Sequence, residues 1–70
     1  MIETPADLKA ARQALGWSLS QMADALRLAP PKGAQRVREM EAGAREISGP
    51  ISVAVEALLS GWRPEGFDVS

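Results

Sequence analysis

The feature that most constrains this chain is its punctuation. Residues that start helices and residues that stop them recur at short intervals, leaving room only for brief helices between. In Thr4-Pro5-Ala6-Asp7, threonine can cap, proline suits the first helical position, and Asp7 stands where it can close a capping box. Leu8, Ala11 and Leu15 follow at i, i+3 and i+7 as one apolar stripe, and Gly16 ends that helix. Ser18-Leu19-Ser20-Gln21 repeats the capping-box logic for a second helix, with Trp17 and Met22 placed as a hydrophobic staple. Met22, Ala23 and Leu26 face inward, and the small Ala23 admits a neighbouring helix closely. Trp17 reads as a core anchor rather than a binding aromatic.

Leu28 to Gly33 breaks the second helix. Each proline in it disfavours helix in the residue before, so this connector is expected to run extended. A third helix is expected from about Ala34 to Glu41, with Ala34, Val37 and Met40 apolar and Gly43 as a left-handed C-cap. Gln35, Arg36, Arg38 and Glu39 point elsewhere. Ile47-Ser48-Gly49-Pro50 introduces a fourth helix, with Pro50 at its first position and Gly61 at its end. Its run ISVAVEALLS is apolar almost all round, whereas a surface helix needs one stripe. One face is therefore expected on the core, leaving Val53, Ala57 or a neighbour for a partner. Trp62 to Ser70 has no period and reads as an extended tail, its Trp62 and Phe67 folding back on the core or on a second subunit. The expectation is an all-α, compact domain of four helices, or five, over residues 1–61, with a short tail over 62–70.

Seventy residues make one domain near the lower limit of what folds without a staple. With neither cysteine nor histidine, the chain lacks thiolate and imidazole metal ligands and the usual general base. Its carboxylates are scattered along the helices. No enzyme, cofactor or metal is expected. No signal peptide is visible and no apolar run approaches the roughly 18–20 residues that span a bilayer, so the expectation is a soluble, cytoplasmic protein without a membrane partner. The net charge of −1 hides a strong asymmetry. Residues 27–45 carry Arg27, Lys32, Arg36, Arg38 and Arg45 against Glu39 and Glu41, for +3; residues 1–26 sum to −1 and residues 46–70 to −3.

In this order, the helices of LKAARQALGWSLSQMADAL and the ending VREMEAG resemble the Cro and phage-repressor (XRE-type) helix-turn-helix family over about residues 8–60. The run from Arg45 to Leu59 is similar in size and style to small phage and mobile-element regulators, among them anti-CRISPR-associated repressors. Two departures stand out: Arg27 occupies the turn after helix two where the family has glycine, and the connector through Ala29-Pro30-Pro31-Lys32 is about four residues longer. The family's frequent fifth helix is missing.

The resemblance implies that helix three reads base edges in the major groove while helix two braces it. Gln35 would bond adenine, and Arg36 or Arg38 guanine; Glu39 would accept from cytosine or orient a neighbouring arginine. The alternative for Arg38 and Glu39 is a solvated surface pair. Ser18, Ser20 and Gln21 would meet phosphate at the start of helix two, although Ser18 and Gln21 already have work as caps. Lys32 and Arg45 would clamp the backbone from the flanking loops, and Arg12 would pair inside the domain, with Glu41 as a candidate. One such domain reads few bases, so a homodimer on a palindromic operator is implied. The surplus apolar surface of helix four, with Val53, Ala57 and Trp62, is the candidate dimer surface; the alternative is a monomer that uses this surface for its own core. The expected function is an autoregulating repressor that binds double-stranded DNA. The rivals are an antitoxin with the same fold, whose acidic C-terminal segment neutralises a toxin, and a helical adaptor that binds only protein.

Overall fold

The computed structural model describes residues 2–67, and among these the protein is all-helical, with no strand. Four helices follow one another: α1 (Pro5–Leu15), α2 (Leu19–Ala25), α3 (Gly33–Ala42) and α4 (Gly49–Leu59). None is long and apolar enough to cross a membrane. The starts of α1 and α2 are the two capping boxes. Thr4 Oγ1 accepts from the Asp7 N–H at 3.1 Å, and the Asp7 carboxylate accepts from the N–H groups of Thr4 and Glu3 at 3.1 and 3.2 Å. Those backbone bonds, the one from Glu3 foremost, hold the Asp7 carboxyl below its ordinary value of 3.8. Ser18 and Gln21 make the same exchange at 3.1 and 2.8 Å. In α4 the cap is Ser48, whose Oγ accepts from the Ile51 N–H at 3.4 Å; helix begins at Gly49, so Pro50 stands second rather than first.

All four helices stop in the same way. Two consecutive residues just beyond each helix, directly after its end in α1 and α3 and one residue later in α2 and α4, reach back to carbonyls of its last turn in a Schellman motif: Gly16 and Trp17 to Gln13 and Arg12, Arg27 and Leu28 to Asp24 and Ala23, Gly43 and Ala44 to Met40 and Glu39, Gly61 and Trp62 to Leu58 and Ala57. The motif needs a left-handed residue, and the φ values are 73° at Gly16, 60° at Arg27, 83° at Gly43 and 109° at Gly61. Arginine thus stands at the end of α2 in a conformation that a Cβ makes unfavourable by about 1–2 kcal/mol. Its guanidinium donates to the Glu65 carbonyl, which ties this turn to the tail.

The connector differs from expectation. Residues 30–32 form a turn, with a cis peptide between Pro30 and Pro31, rather than an extended segment. The reason is the closeness of α2 and α3. A Cβ placed on Gly33 would stand 3.2 Å from Ala23 Cβ and 2.5 Å from the Leu28 carbonyl oxygen, so the chain must reverse over the few residues between.

The core draws on every helix: Leu8 and Ala11 from α1, Met22, Ala23 and Ala25 from α2, Val37 and Met40 from α3, Val55 and Leu58 from α4, with Trp17 and Leu26 between them. α3 packs chiefly on α2 and then on α1, while α4 packs on α1. Ile2 joins this core, its carbonyl accepting from Ser52 Oγ of α4 at 2.8 Å. At the other end the chain folds back. Phe67 meets Trp17 edge-on, with ring centroids 5.1 Å apart at 64°, the Arg63 guanidinium lies 4.9 Å over the same ring, and Pro64 is buried. Phe67 therefore packs on the core, whereas Trp62 stays 51 % exposed. Residues 68–70 of the expected tail lie outside the described residues.

Candidate functional site

The outer face of α3 is set by what its inner face must do. Val37 and Met40 are buried, and helical spacing then turns Gln35, Arg36 and Arg38 to solvent, with Glu39 half-buried at the edge. Beneath this face Arg12 holds Glu41 in a two-point ion pair, Nε to Oε2 at 2.7 Å and Nη2 to Oε1 at 3.1 Å. Its remaining Nη1 donates to the Trp17 carbonyl at 2.9 Å. One guanidinium thus fastens α1 to the C-terminal turn of α3 and to the residue before the Ser18 cap. The hydrogen bond to Glu41 raises the Arg12 pKa further above its ordinary value. Arg12 pairs inside the domain, as expected.

Above that anchor, Glu39 is a hub. Its Oε1 accepts from Arg45 Nε at 3.2 Å, and its Oε2 stands 3.5 Å from Gln35 Nε2, the long limit of a hydrogen bond. The Arg45 backbone N–H also reaches the Glu39 carbonyl, at 3.3 Å. The surface pair between Arg38 and Glu39, the alternative to base reading, is not formed; Glu39 pairs with Arg45 instead. Among the described residues the ion pairs are those of Arg12 and of Arg45. Lys32, Arg36 and Arg38, all exposed, have no carboxylate partner there.

A shallow groove of about 470 Å³ runs between Leu19, at the start of α2, and Gln35, Arg38 and Glu39 of α3. The structure thus brings Gln35, Arg38, Glu39 and Arg45 together. Arg36 and Lys32 lie outside this groove, Lys32 immediately before α3 and without a side-chain capping bond. Ser18 and Gln21 are engaged with each other as caps, and Ser20 is exposed beside the connector prolines.

A second surface lies on α4. Val53, 68 % exposed, Trp62 and the half-buried Ala57 share an apolar groove of about 570 Å³ with Pro50 and Ala54. The three residues expected at a partner surface therefore share one groove. Sequence reasoning missed Pro50 and Ala54 as its floor, and missed Ile2, Arg63 and Pro64 as core-covering residues. Pro64 and Phe67, set among charged residues of the tail, were the available signal.

No family model matches the chain, and no curated protein or solved structure proves similar to it.

Proposed function

We propose that the protein binds double-stranded DNA through the outer face of α3, as a homodimer, and represses its own transcription from a palindromic operator. One observation carries the proposal. In a chain of net charge −1, Lys32, Arg36 and Arg38 sit exposed and without carboxylate partners among the described residues, on or beside a helix braced from below by the Arg12–Glu41 pair. A braced helix with unpaired cations and an amide outward can meet phosphates and base edges together. Arg36 and Arg38 suit the O6 and N7 of guanine, Gln35 suits adenine, and Lys32 suits a flanking phosphate. The α4 groove supports the homodimer, since its exposed Val53 and Trp62 give a second copy an apolar surface to cover. Two copies about 34–36 Å apart would meet successive turns of the duplex.

The test is a titration of labelled duplex from upstream of the gene, with a scrambled duplex beside it, at about 150 mM salt. The expected result is selective binding that Arg36→Ala weakens by about tenfold or more. Equal weak binding to both duplexes would reduce the proposal to charge attraction. No binding even at low salt would overturn it and favour a protein partner, as an antitoxin or adaptor would have.

A further inference from the structure

We infer that Glu39 reads no base itself but is a positioning residue, which fixes Gln35 for a base and Arg45 for a phosphate. This rests on the DNA-binding proposal and names the device by which the α3 face becomes specific. Each carboxylate oxygen of Glu39 already faces a donor of the protein, Arg45 Nε at 3.2 Å and Gln35 Nε2 at 3.5 Å. The arrangement is anchored at both ends. Glu39 lies one turn along α3 from Gln35, and its carbonyl closes the helix through the N–H groups of Ala44 and Arg45 at 2.9 and 3.3 Å. Arg45 is therefore held to Glu39 by main chain and side chain together, though it lies beyond the helix.

A guanidinium bound through Nε keeps both terminal NH₂ groups for a phosphate, in a fixed direction. A carboxamide with one N–H facing Glu39 keeps its second N–H and its oxygen, the pair that adenine requires at N7 and N6. The same carboxylate keeps Gln35 from turning its oxygen inward, because two acceptors would then face each other. A bare carboxylate on a surface facing phosphates would repel every sequence alike. Paired to Arg45, its charge is offset.

The experiment is selection of duplexes from a random pool by the wild-type protein and by Glu39→Ala, Glu39→Gln, Gln35→Ala and Arg45→Ala, each first checked for an unchanged helical spectrum and melting temperature. The expected result is that Glu39→Ala loses base preference at the same base pair as Gln35→Ala, by about tenfold, and keeps it elsewhere. Glu39→Gln, which retains an acceptor for the Gln35 amide, keeps more of that preference. Arg45→Ala lowers affinity evenly across sequences. Loss of preference at a different base pair from Gln35→Ala would make Glu39 a reader and overturn the inference, as would an unchanged profile. A wild-type pool that never enriches would overturn the DNA-binding proposal, and this inference with it.

Discussion

Gly33 and Gly49 occupy the same place in two helices, the first residue of α3 and of α4, and neither has a left-handed backbone. By propensity alone, alanine at either position would be neutral or stabilising by up to about 1 kcal/mol. Their surroundings separate them. A Cβ on Gly49 meets nothing within 4 Å, whereas one on Gly33 would lie 2.5 Å from the Leu28 oxygen, 3.1 Å from its carbonyl carbon and 3.2 Å from Ala23 Cβ. Leu28 is not free to yield, because its N–H closes the end of α2 on the Ala23 carbonyl at 2.9 Å. Relief must come from moving α3 off α2. Overpacking of this kind costs about 1–3 kcal/mol, and the clash with backbone atoms places Gly33→Ala near the middle, at about 2 kcal/mol net. In a domain of this size that is a fall in Tm of about 8–16 °C, against no change or a small rise for Gly49→Ala. Thermal melts followed by circular dichroism, with urea midpoints beside them, measure both. If Gly33→Ala melts at or above the wild type, α2 and α3 are not seated at this distance.

Glu41→Gln removes one partner of a pair whose side chains are 17 % and 8 % exposed, and should lower stability by about 2 kcal/mol; an unchanged urea midpoint would contradict the anchor. Phe67→Ala, made in a Trp62→Phe background so that Trp17 alone emits, should shift the fluorescence to the red and cost about 1 kcal/mol, whereas an unshifted spectrum would place the tail elsewhere. Asp7 has its pKa lowered by the fold, so its contribution is present above the unfolded value of 3.8 and lost as pH falls through the lowered one. The stability gap between wild type and Asp7→Asn should therefore close on acidification, and a gap independent of pH would argue against the capping box. Under the proposed function Val53→Glu should leave a folded monomer where the wild type sediments as a dimer; a monomeric wild type at the same concentration would refute the α4 interface.

Where a local rule decides structure, the sequence was legible. Thr4 and Ser18 cap as their spacing with Asp7 and Gln21 requires, and Gly16, Gly43 and Gly61 stop helices because glycine takes the left-handed conformation without hindrance. Periodicity likewise put Val37 and Met40 inside and left Gln35, Arg36 and Arg38 outside. What it could not give depends on contacts distant in sequence. Two prolines favour an extended connector locally, but the approach of Gly33 to Ala23 makes it a turn. No glycine marks the left-handed turn at Arg27, and the contact that accompanies it comes from the distant Glu65. At the candidate site the residue types were visible and their pairing was not. Arg45 meets Glu39 only because the Gly43 cap bends the chain back over the last turn of α3.

The proposed function needs two surfaces at once, and the packing keeps them from competing. α3 is seated on α2 and α1, and α4 on α1, so each presents its outer face without burying that of the other. The faces differ in chemistry, with three cations free of carboxylate partners among the described residues beside one and an apolar groove on the other. The link between them is short and polar. Arg12 of α1 grips Glu41 of α3 and the Trp17 carbonyl, and the Trp17 ring in turn carries Arg63, whose Nη1 donates to the Leu58 carbonyl of α4 at 2.9 Å. A partner seated on Val53 and Trp62 would thus bear on the chain segment that carries Arg63, which contacts Trp17, the residue before the cap of α2. Because a single ten-residue α3 reaches few base pairs, specific binding depends on the spacing of two such helices. Under the proposal, then, a substitution in the α4 groove should reduce specific affinity for DNA without touching a residue that meets it.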